Sequence, residues 1–337
     1  MPLFLTFPDW IKPEIIPGLP IRWYGLMYIL AFLITYALFL RQAKASGLQF
    51  DTNQVQNFFF SGLAGMLVGA RIFATLIYDT TGRYWAQPWL IFWPFGADGT
   101  FTGFAGMSYH GAVLGIVLGL FLYAGLKKID ILLWGDWVVA GAPLGYLFGR
   151  LGNFINSELW GRVTAAPWGM VFPNGEPLPV KEAWVADAMQ QTGVTQTFMY
   201  GGVESVNLPR HPSQLYEALG EGLLLWLILW FLLRPNKPFK GFLVGAYLIG
   251  YGVIRFVIEY FRNPDKGLDF IITLQPGFST SQLTVPLFNF SMGQILCAAM
   301  IVIGAVWLVV CGSLDKKAKL AEAAKTPPKA SGPRKRR

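Results

Sequence analysis

A guanidinium, two amides and a carboxylate fall within ten residues, Gly149-Arg150-Leu151-Gly152-Asn153-Phe154-Ile155-Asn156-Ser157-Glu158, at the far end of an apolar run. Polar groups at that depth in lipid are costly and commonly functional. Arg150 and Asn153 are three residues apart, so on a continuing helix they share a face. A guanidinium fork beside an amide suits a phosphate or a carboxylate, and the stretch reads as a site for an anionic headgroup. The plainer alternative is an interface-anchoring arginine with amides capping a helix end, against which four polar residues in ten weigh.

A second constellation repeats the chemistry. Tyr251, Arg255, Glu259 and Arg262 are spaced four, four and three residues apart, which on a helix places them within a sector of about 90°. Arg255 and Glu259 form either a structural ion pair or part of an anion site. Arg262 and Arg150 at the same level would leave positive charge unneutralised, and spare guanidinium attracts phosphate. The chain has two histidines. His110, in Gly106-Met107-Ser108-Tyr109-His110-Gly111, is either a hydrogen-bonded interface residue or a base titrating near neutrality. His211, in Arg210-His211-Pro212-Ser213-Gln214-Leu215-Tyr216-Glu217, belongs either to catalysis or to a motif that caps and docks the next helix through Ser213 and Gln214. Arg71 follows Gly69-Ala70 inside an apolar span, where it needs a counter-ion or a substrate. Tyr24 is either a belt anchor or a hydroxyl aimed at the headgroup. Asp136, Glu217 and Glu221 read as helix-packing partners, and Cys297 and Cys311, inside one apolar span, as packing residues.

The elements that position these groups follow from composition. With 54% hydrophobic and 14% charged residues, the chain reads as a polytopic membrane protein. Apolar runs predict seven transmembrane helices at Ile21–Leu40, Asn57–Tyr78, Tyr109–Leu126, Ile131–Phe148, Leu215–Leu233, Gly241–Phe261 and Ser291–Cys311. The expected fold is all-α. Arg41 and Lys44, Lys127 and Lys128, Arg234, Lys237 and Lys240, and a basic C-terminal stretch follow alternate spans, so the positive-inside bias puts the N-terminus outside and the C-terminus inside. Residues 1–20 are then an extracytoplasmic or interfacial segment, which lacks the basic start and clean apolar core of a signal peptide. Residues 21–311 are the membrane domain, with a small extracytoplasmic cap over 159–214. Trp85, Trp89 and Trp93 suggest a segment lying in the interface.

The formal charge of +8 is concentrated, since nine of the 27 Lys and Arg lie between Lys316 and Arg337. Residues 312–337 read as a disordered cytoplasmic tail fit for an anionic lipid surface rather than for nucleic acid. Neither a metal nor another cofactor is suggested by the ligand inventory, nor is a disulfide. In this orientation nearly all the polar intramembrane residues fall at the outer leaflet, which describes a single pocket open to lipid and to the extracytoplasmic side. That placement disfavours a secondary transporter, whose site belongs near the midplane. An intramembrane protease would need a nucleophile–base pair, paired aspartates or a His-Glu-x-x-His motif, and the sequence carries none of these.

The stretch from Gly149 to Gly161 closely resembles the signature of the bacterial prolipoprotein diacylglyceryl transferases. Tyr251-Gly252-Val253-Ile254-Arg255-Phe256-Val257-Ile258-Glu259, followed by Arg262, Pro264 and Asp265, resembles the family's Tyr-Gly-x-x-Arg-Phe-x-x-Glu pattern. The segments around His110 and His211 are similar as well, although Ala105 and Ala112 stand where the family usually has glycine. The resemblance runs from Tyr24 to Gln294. It implies an enzyme of the bacterial inner membrane that moves the diacylglyceryl group of phosphatidylglycerol onto the thiol of a lipobox cysteine in a prolipoprotein signal peptide. It also implies catalytic roles for His110, Arg150, Arg255 and Glu259, and substrate contacts from Tyr24, Arg71, Asn153, Asn156, Glu158, His211, Tyr251 and Arg262. Phosphatidylglycerol, the prolipoprotein and surrounding membrane lipids are then the partners.

Overall fold

The computed structural model describes residues 4–16, 18–19, 21–96, 99–101, 103, 106–263, 270–277 and 283–325. It is mostly helical, as a chain that must satisfy its backbone inside lipid has to be. Among the described residues six helices are long and apolar enough to cross a bilayer: α1 (Trp23–Ala45), α2 (Thr52–Ile77), α3 (Tyr109–Lys127), α4 (Ile131–Ile155), α6 (Ser213–Asn236) and α8 (Met292–Ala324). The protein is thus a multi-pass membrane protein. The span expected at Gly241–Phe261 folds as α7, Phe242–Ile258, whose 17 residues reach only about 26 Å. Residues 312–325, expected to be disordered, instead continue α8 as helix to Lys325. Their Ala, Leu, Lys and Glu content favours helix, and Lys319 pairs with Asp315 one turn back at 2.7 Å.

The expectation of an all-α chain needs correction. Between α4 and α6 a three-stranded antiparallel sheet, ordered β3 (Leu178–Pro179), β5 (Val203–Val206), β4 (Phe198–Tyr200), packs with the short helix α5 (Ala183–Thr192). Val163, Val185, Ala188, Val194, Val206 and Leu208 give this cap a core of its own. Near the N-terminus β1 (Leu5–Thr6) lies parallel to β2 (Met170–Val171), and beyond α7 β6 (Ile272–Thr273) pairs with β7 (Asn289–Phe290). Outside α5 the long polar connection satisfies its N–H and C=O groups through short ladders instead.

The chain divides into two compact units, Met1–Phe39 with Gly135–Arg337, and Leu40–Trp134. The second unit is organised by glycine. Gly65 and Gly69 on α2 face Gly111, Gly115 and Gly119 on α3, all at four-residue spacing, so that a Cβ on Gly65 would strike the Gly115 carbonyl and one on Gly69 that of Gly111. Lipid offers no hydrophobic drive for helices to associate, and backbone approach of this kind supplies the van der Waals contact instead. Asp51 caps α2 by accepting from Asn53 N at 3.0 Å, and Ser108 caps α3 by accepting from Gly111 N at 3.2 Å.

In the first unit α4 packs against α1, α6 and α7. Gly145 lets it approach Ala31 and Thr35 of α1, and Gly222 of α6 sits against Leu147. Asp136, expected to be a packing partner, has a more definite role. Its buried carboxylate accepts from Gly241 N (3.0 Å), Leu243 N (2.9 Å) and Val244 N (3.2 Å) and pairs with Lys237 (3.3 Å). It therefore caps the N-terminus of α7 from another helix. Much of α6 is wound as π-helix, at Ala218–Leu224 and again at Ile228–Leu233.

The glycine seam generates a test. Gly115→Leu should lower the stability of the purified protein by about 2 kcal/mol or more, because the backbone of α2 leaves no room. Gly125→Leu on the same helix meets open space and should stay within about 0.5 kcal/mol of wild type in the same detergent unfolding assay.

Candidate functional site

The helix α4 runs on through Ile155, so Arg150 and Asn153 do share a face. Arg150 Nη1 donates to Asn153 Oδ1 at 3.3 Å, and Asn153 Nδ2 donates to Glu158 Oε1 at 2.9 Å. Asn156 Nδ2 supports the same carboxylate oxygen at 3.4 Å. Glu158 is turned back onto the helix by a tight reversal in which Ser157 (φ 54°) and Leu159 (φ 55°) both take the left-handed conformation. A bulky leucine adopts that region at a cost of order 1–3 kcal/mol, so neighbours must hold it. Gln214 Nε2 donates to the Glu158 carbonyl at 2.6 Å and Ser213 Oγ to that of Leu159 at 3.2 Å. The start of α6 thus docks on the strained turn through Ser213 and Gln214, while the cap expected of the same motif is not made by a side chain.

Beyond the turn the backbone is clamped on two sides. Gly161 N donates to His211 O (2.8 Å), Arg162 N to Phe261 O (2.9 Å) and His211 N to Arg162 O (2.9 Å). A Cβ on Gly161 would strike the Phe261 carbonyl, so glycine is required where the end of α7 passes. Three segments far apart in sequence are in this way held at one level: the ends of α4 and α7 and the start of α6.

At that level lies the arginine cluster. Glu217 of α6 has no exposed surface, and its Oε2 meets Arg150 Nε at 2.7 Å and Arg255 Nη1 at 3.4 Å, while its Oε1 meets Arg262 Nη1 at 3.2 Å. Arg255 also pairs with Glu259 (3.1 Å) and Glu221 (3.5 Å), and Arg262 with Glu259 (3.6 Å). Tyr146, one turn before Arg150, accepts from Arg150 Nε at 2.7 Å and lies under the guanidinium, whose carbon is 4.8 Å from the ring centroid. Tyr251 meets Tyr146 edge-on at 6.0 Å. Glu259 is in turn fixed at the head of α8, where Ser291 Oγ donates to it at 3.3 Å and a Cβ on Gly293 would collide with its carboxylate.

Two expectations change here. The guanidiniums of Arg150, Arg255 and Arg262 are not left with spare charge, because Glu217, Glu221 and Glu259 match them. Glu217 and Glu221 are not mere packing partners but the counter-ions of the site. A signal for this was present: two carboxylates a turn apart in an apolar helix whose own next cation is Arg234 must find positive charge on another element. Tyr146, Ser291 and Gly293 carried no comparable signal.

Tyr24 bonds the hydroxyl of Tyr28 at 3.0 Å, and a Cβ on Gly152 would lie 3.5 Å from the Tyr24 Cα, which places this tyrosine beside the Arg150–Asn153 turn. His211 lies on the clamp, with Nδ1 3.1 Å from the Tyr216 hydroxyl and its ring edge-on to Phe261 at 5.1 Å. Burial, with Arg162 nearby, pushes its pKa down to about 4. Burial likewise lowers Arg162 and Arg210 to about 10, and Arg210 stacks 3.8 Å over Trp160.

Arg71 and His110 belong to the second unit. Arg71 is buried and spends its donors on backbone carbonyls, Nε on Ile91, Nη1 on Gly106 (3.3 Å) and Nη2 on Leu90 (3.5 Å). It orders the connection between α2 and α3 and edges an open cleft of about 270 Å³ with Thr75, Tyr78 and Tyr84. His110 is exposed, and its Nδ1 is 2.7 Å from the Tyr78 hydroxyl. Ala112 lies within α3, whereas Ala105, Pro264 and Asp265 fall outside the described residues.

The sequence profile described as prolipoprotein diacylglyceryl transferase matches residues 13–310. The phosphatidylglycerol–prolipoprotein diacylglyceryl transferase of Treponema denticola is 46% identical, over 95% of this chain and 98% of its own length. That of Treponema pallidum is 42% identical over 95% and 99%, and that of Chlorobaculum tepidum 38% over 90% of each.

The buried imidazole yields a pH prediction. An unfolded histidine takes up a proton as pH falls below about 6.5, whereas the native His211 stays neutral to about 4, so the unfolded state binds more protons in that window. Stability is complete above pH 6.5 and should fall as the pH drops toward 4. The apparent Tm of His211→Gln, measured from pH 7 to pH 5, should decline less steeply than that of wild type. Parallel slopes would contradict the assignment.

Proposed function

The chain belongs to the prolipoprotein diacylglyceryl transferase family, and we propose that it transfers the diacylglyceryl group of phosphatidylglycerol to the lipobox cysteine of exported prolipoproteins, the first step of lipoprotein maturation. The observation that carries this reading is the gathering of three guanidiniums from α4 and the end of α7 around one buried carboxylate, beside Asn153 and Glu158. In the reaction the thiolate sulfur attacks the glyceryl carbon that bears the phosphate. A carbon–sulfur bond forms, the carbon–oxygen bond breaks, and its electron pair leaves on the phosphate oxygen as glycerol phosphate.

The barrier lies in that departing charge, which preorganised donors stabilise most effectively in a site that excludes water. Arg150 and Arg255 take this role, with Arg262 and Glu259 holding Arg255 in place. Asn153, with Asn156 and Glu158 behind it, and the hydroxyls of Tyr24 and Tyr251 orient the headgroup. His211 keeps the backbone clamp in place, and Arg71 orders the loop before α3. A thiol of ordinary pKa near 8.5 is mostly protonated at neutral pH, and we assign its deprotonation to His110.

The same reading supplies the topology: seven spans counting α7, the N-terminus outside, the C-terminus and its basic stretch inside, and the cap with the arginine cluster on the extracytoplasmic side of the inner membrane. The clusters Arg41 and Lys44, Lys127 and Lys128, and Arg234, Lys237 and Lys240 support it. The lipobox peptide then reaches the site from the side to which precursors are exported.

Purified protein incubated with labelled phosphatidylglycerol and a lipobox peptide should place label on the cysteine and release glycerol phosphate, and failure to do so would remove the assignment. Arg150→Lys should insert and fold yet lose most of this activity, because one ammonium cannot reproduce a planar fork; near wild-type turnover would exclude the bidentate role. His110→Gln should slow transfer by about 10²-fold at pH 7, with partial recovery toward pH 9 as the thiol ionises unaided. A variant equally impaired at both pH values would leave His110 without a proton-transfer role.

A further inference from the structure

Glu217 is bound more heavily than packing alone requires. Its side chain has no exposure, and its two oxygens receive guanidinium groups from Arg150, Arg255 and Arg262. These three partners are not equivalent. Arg255 and Arg262 each have Glu259 as a second carboxylate, and Arg255 has Glu221 as well. Among the described residues Arg150 forms its ion pair with Glu217, at 2.7 Å, and its remaining contacts are the neutral groups of Tyr146 and Asn153. Arg150 can therefore exchange carboxylate for phosphate without stranding Glu217, which keeps Arg255 and Arg262. Neither of the other two arginines can leave as cheaply, because each is tied to more than one carboxylate.

The reaction proposed above makes such an exchange useful. The substrate phosphate is a diester with one negative charge, whereas the product is a monoester whose second pKa, near 6, makes it mostly a dianion at neutral pH. Donors that stabilise the departing charge also hold the finished product, and release then limits turnover. A carboxylate within reach of the same guanidinium opposes that retention.

We propose that Glu217 is an internal counter-anion that competes with the phosphate group for Arg150, holding the guanidinium in register in the empty site and taking it back to expel glycerol phosphate. Glu217 is a positioning residue in this scheme: it touches Arg150 and never the substrate. The proposal rests on the transferase reading, and its test separates the two.

The readout is inhibition of transfer by added glycerol phosphate, in full-length protein with phosphatidylglycerol and a lipobox peptide. Glu217→Gln leaves one guanidinium charge uncompensated, so Ki for glycerol phosphate should fall at least about tenfold, kcat should fall, and KM for phosphatidylglycerol should not rise. A merely structural role would raise KM and Ki together. Glu217→Asp keeps the charge but draws it back by one methylene. It should fold as wild type and lower Ki severalfold, and it decides the question if the glutamine variant fails to fold. An unchanged or higher Ki in either folded variant would overturn the proposal while leaving the transferase reading intact. A wild-type protein that transfers no diacylglyceryl group would remove both.

Discussion

A carboxylate with no exposed surface in a lipid-spanning helix is the constraint on which the first unit depends. Ionised and alone, Glu217 would carry a desolvation penalty of several kcal/mol, and removing one partner of a buried pair typically costs about 3–5 kcal/mol. The helices must therefore bring guanidinium to it. Arg150 comes from α4 and Arg255 and Arg262 from α7 and its end, and the local architecture serves that meeting. Gly222 lets α6 press on Leu147, and Gly293 leaves room for the Glu259 carboxylate that pins Arg255 from the far side. The π-helical turn Ala218–Leu224 begins directly after Glu217, where a wider turn changes which side chains face the cluster.

Buried arginine is used in a different manner in the second unit. Arg71 donates to the carbonyls of Ile91, Leu90 and Gly106, which are fixed parts of the backbone. A guanidinium held by neutral carbonyls keeps its charge but has little freedom to move, and that suits architecture. One held by carboxylates is electrostatically balanced and can trade one anion for another. Among the described residues the two sites thus differ in the partners their arginines meet, carbonyls at Arg71 and carboxylates at Arg150, Arg255 and Arg262.

Much of this was readable from the residues. The spacing of Arg150 and Asn153, that of Tyr251 and Arg255 and the apolar runs of about a bilayer's length are local properties, and helices preserve local order. By contrast, α7 ends at Ile258 and the expected helical stripe does not reach Arg262. What escaped is long-range. Asp136 caps a helix whose first residues lie more than a hundred positions later, and Glu217 meets Arg150 across 67 positions and Arg262 across 45. No periodicity in a single segment encodes such a pairing. The cap's sheets were missed because strands of two to four residues carry too little alternation to read, and the left-handed Leu159 because its conformation is imposed by Ser213 and Gln214.

The central claim is that Glu217 and Arg150 depend on each other across α6 and α4, and a double-mutant cycle addresses it most directly. Arg150→Met, Glu217→Gln and the pair would be unfolded reversibly in mixed detergent, each measured against wild type. The account predicts that the double variant is more stable than the sum of the single losses by about 1.5 kcal/mol or more, because Glu217→Gln alone strands the Arg150 guanidinium and Arg150→Met removes that charge. Losses that add to within about 0.5 kcal/mol would mean that the two side chains do not interact, and the arrangement described for the site would be wrong.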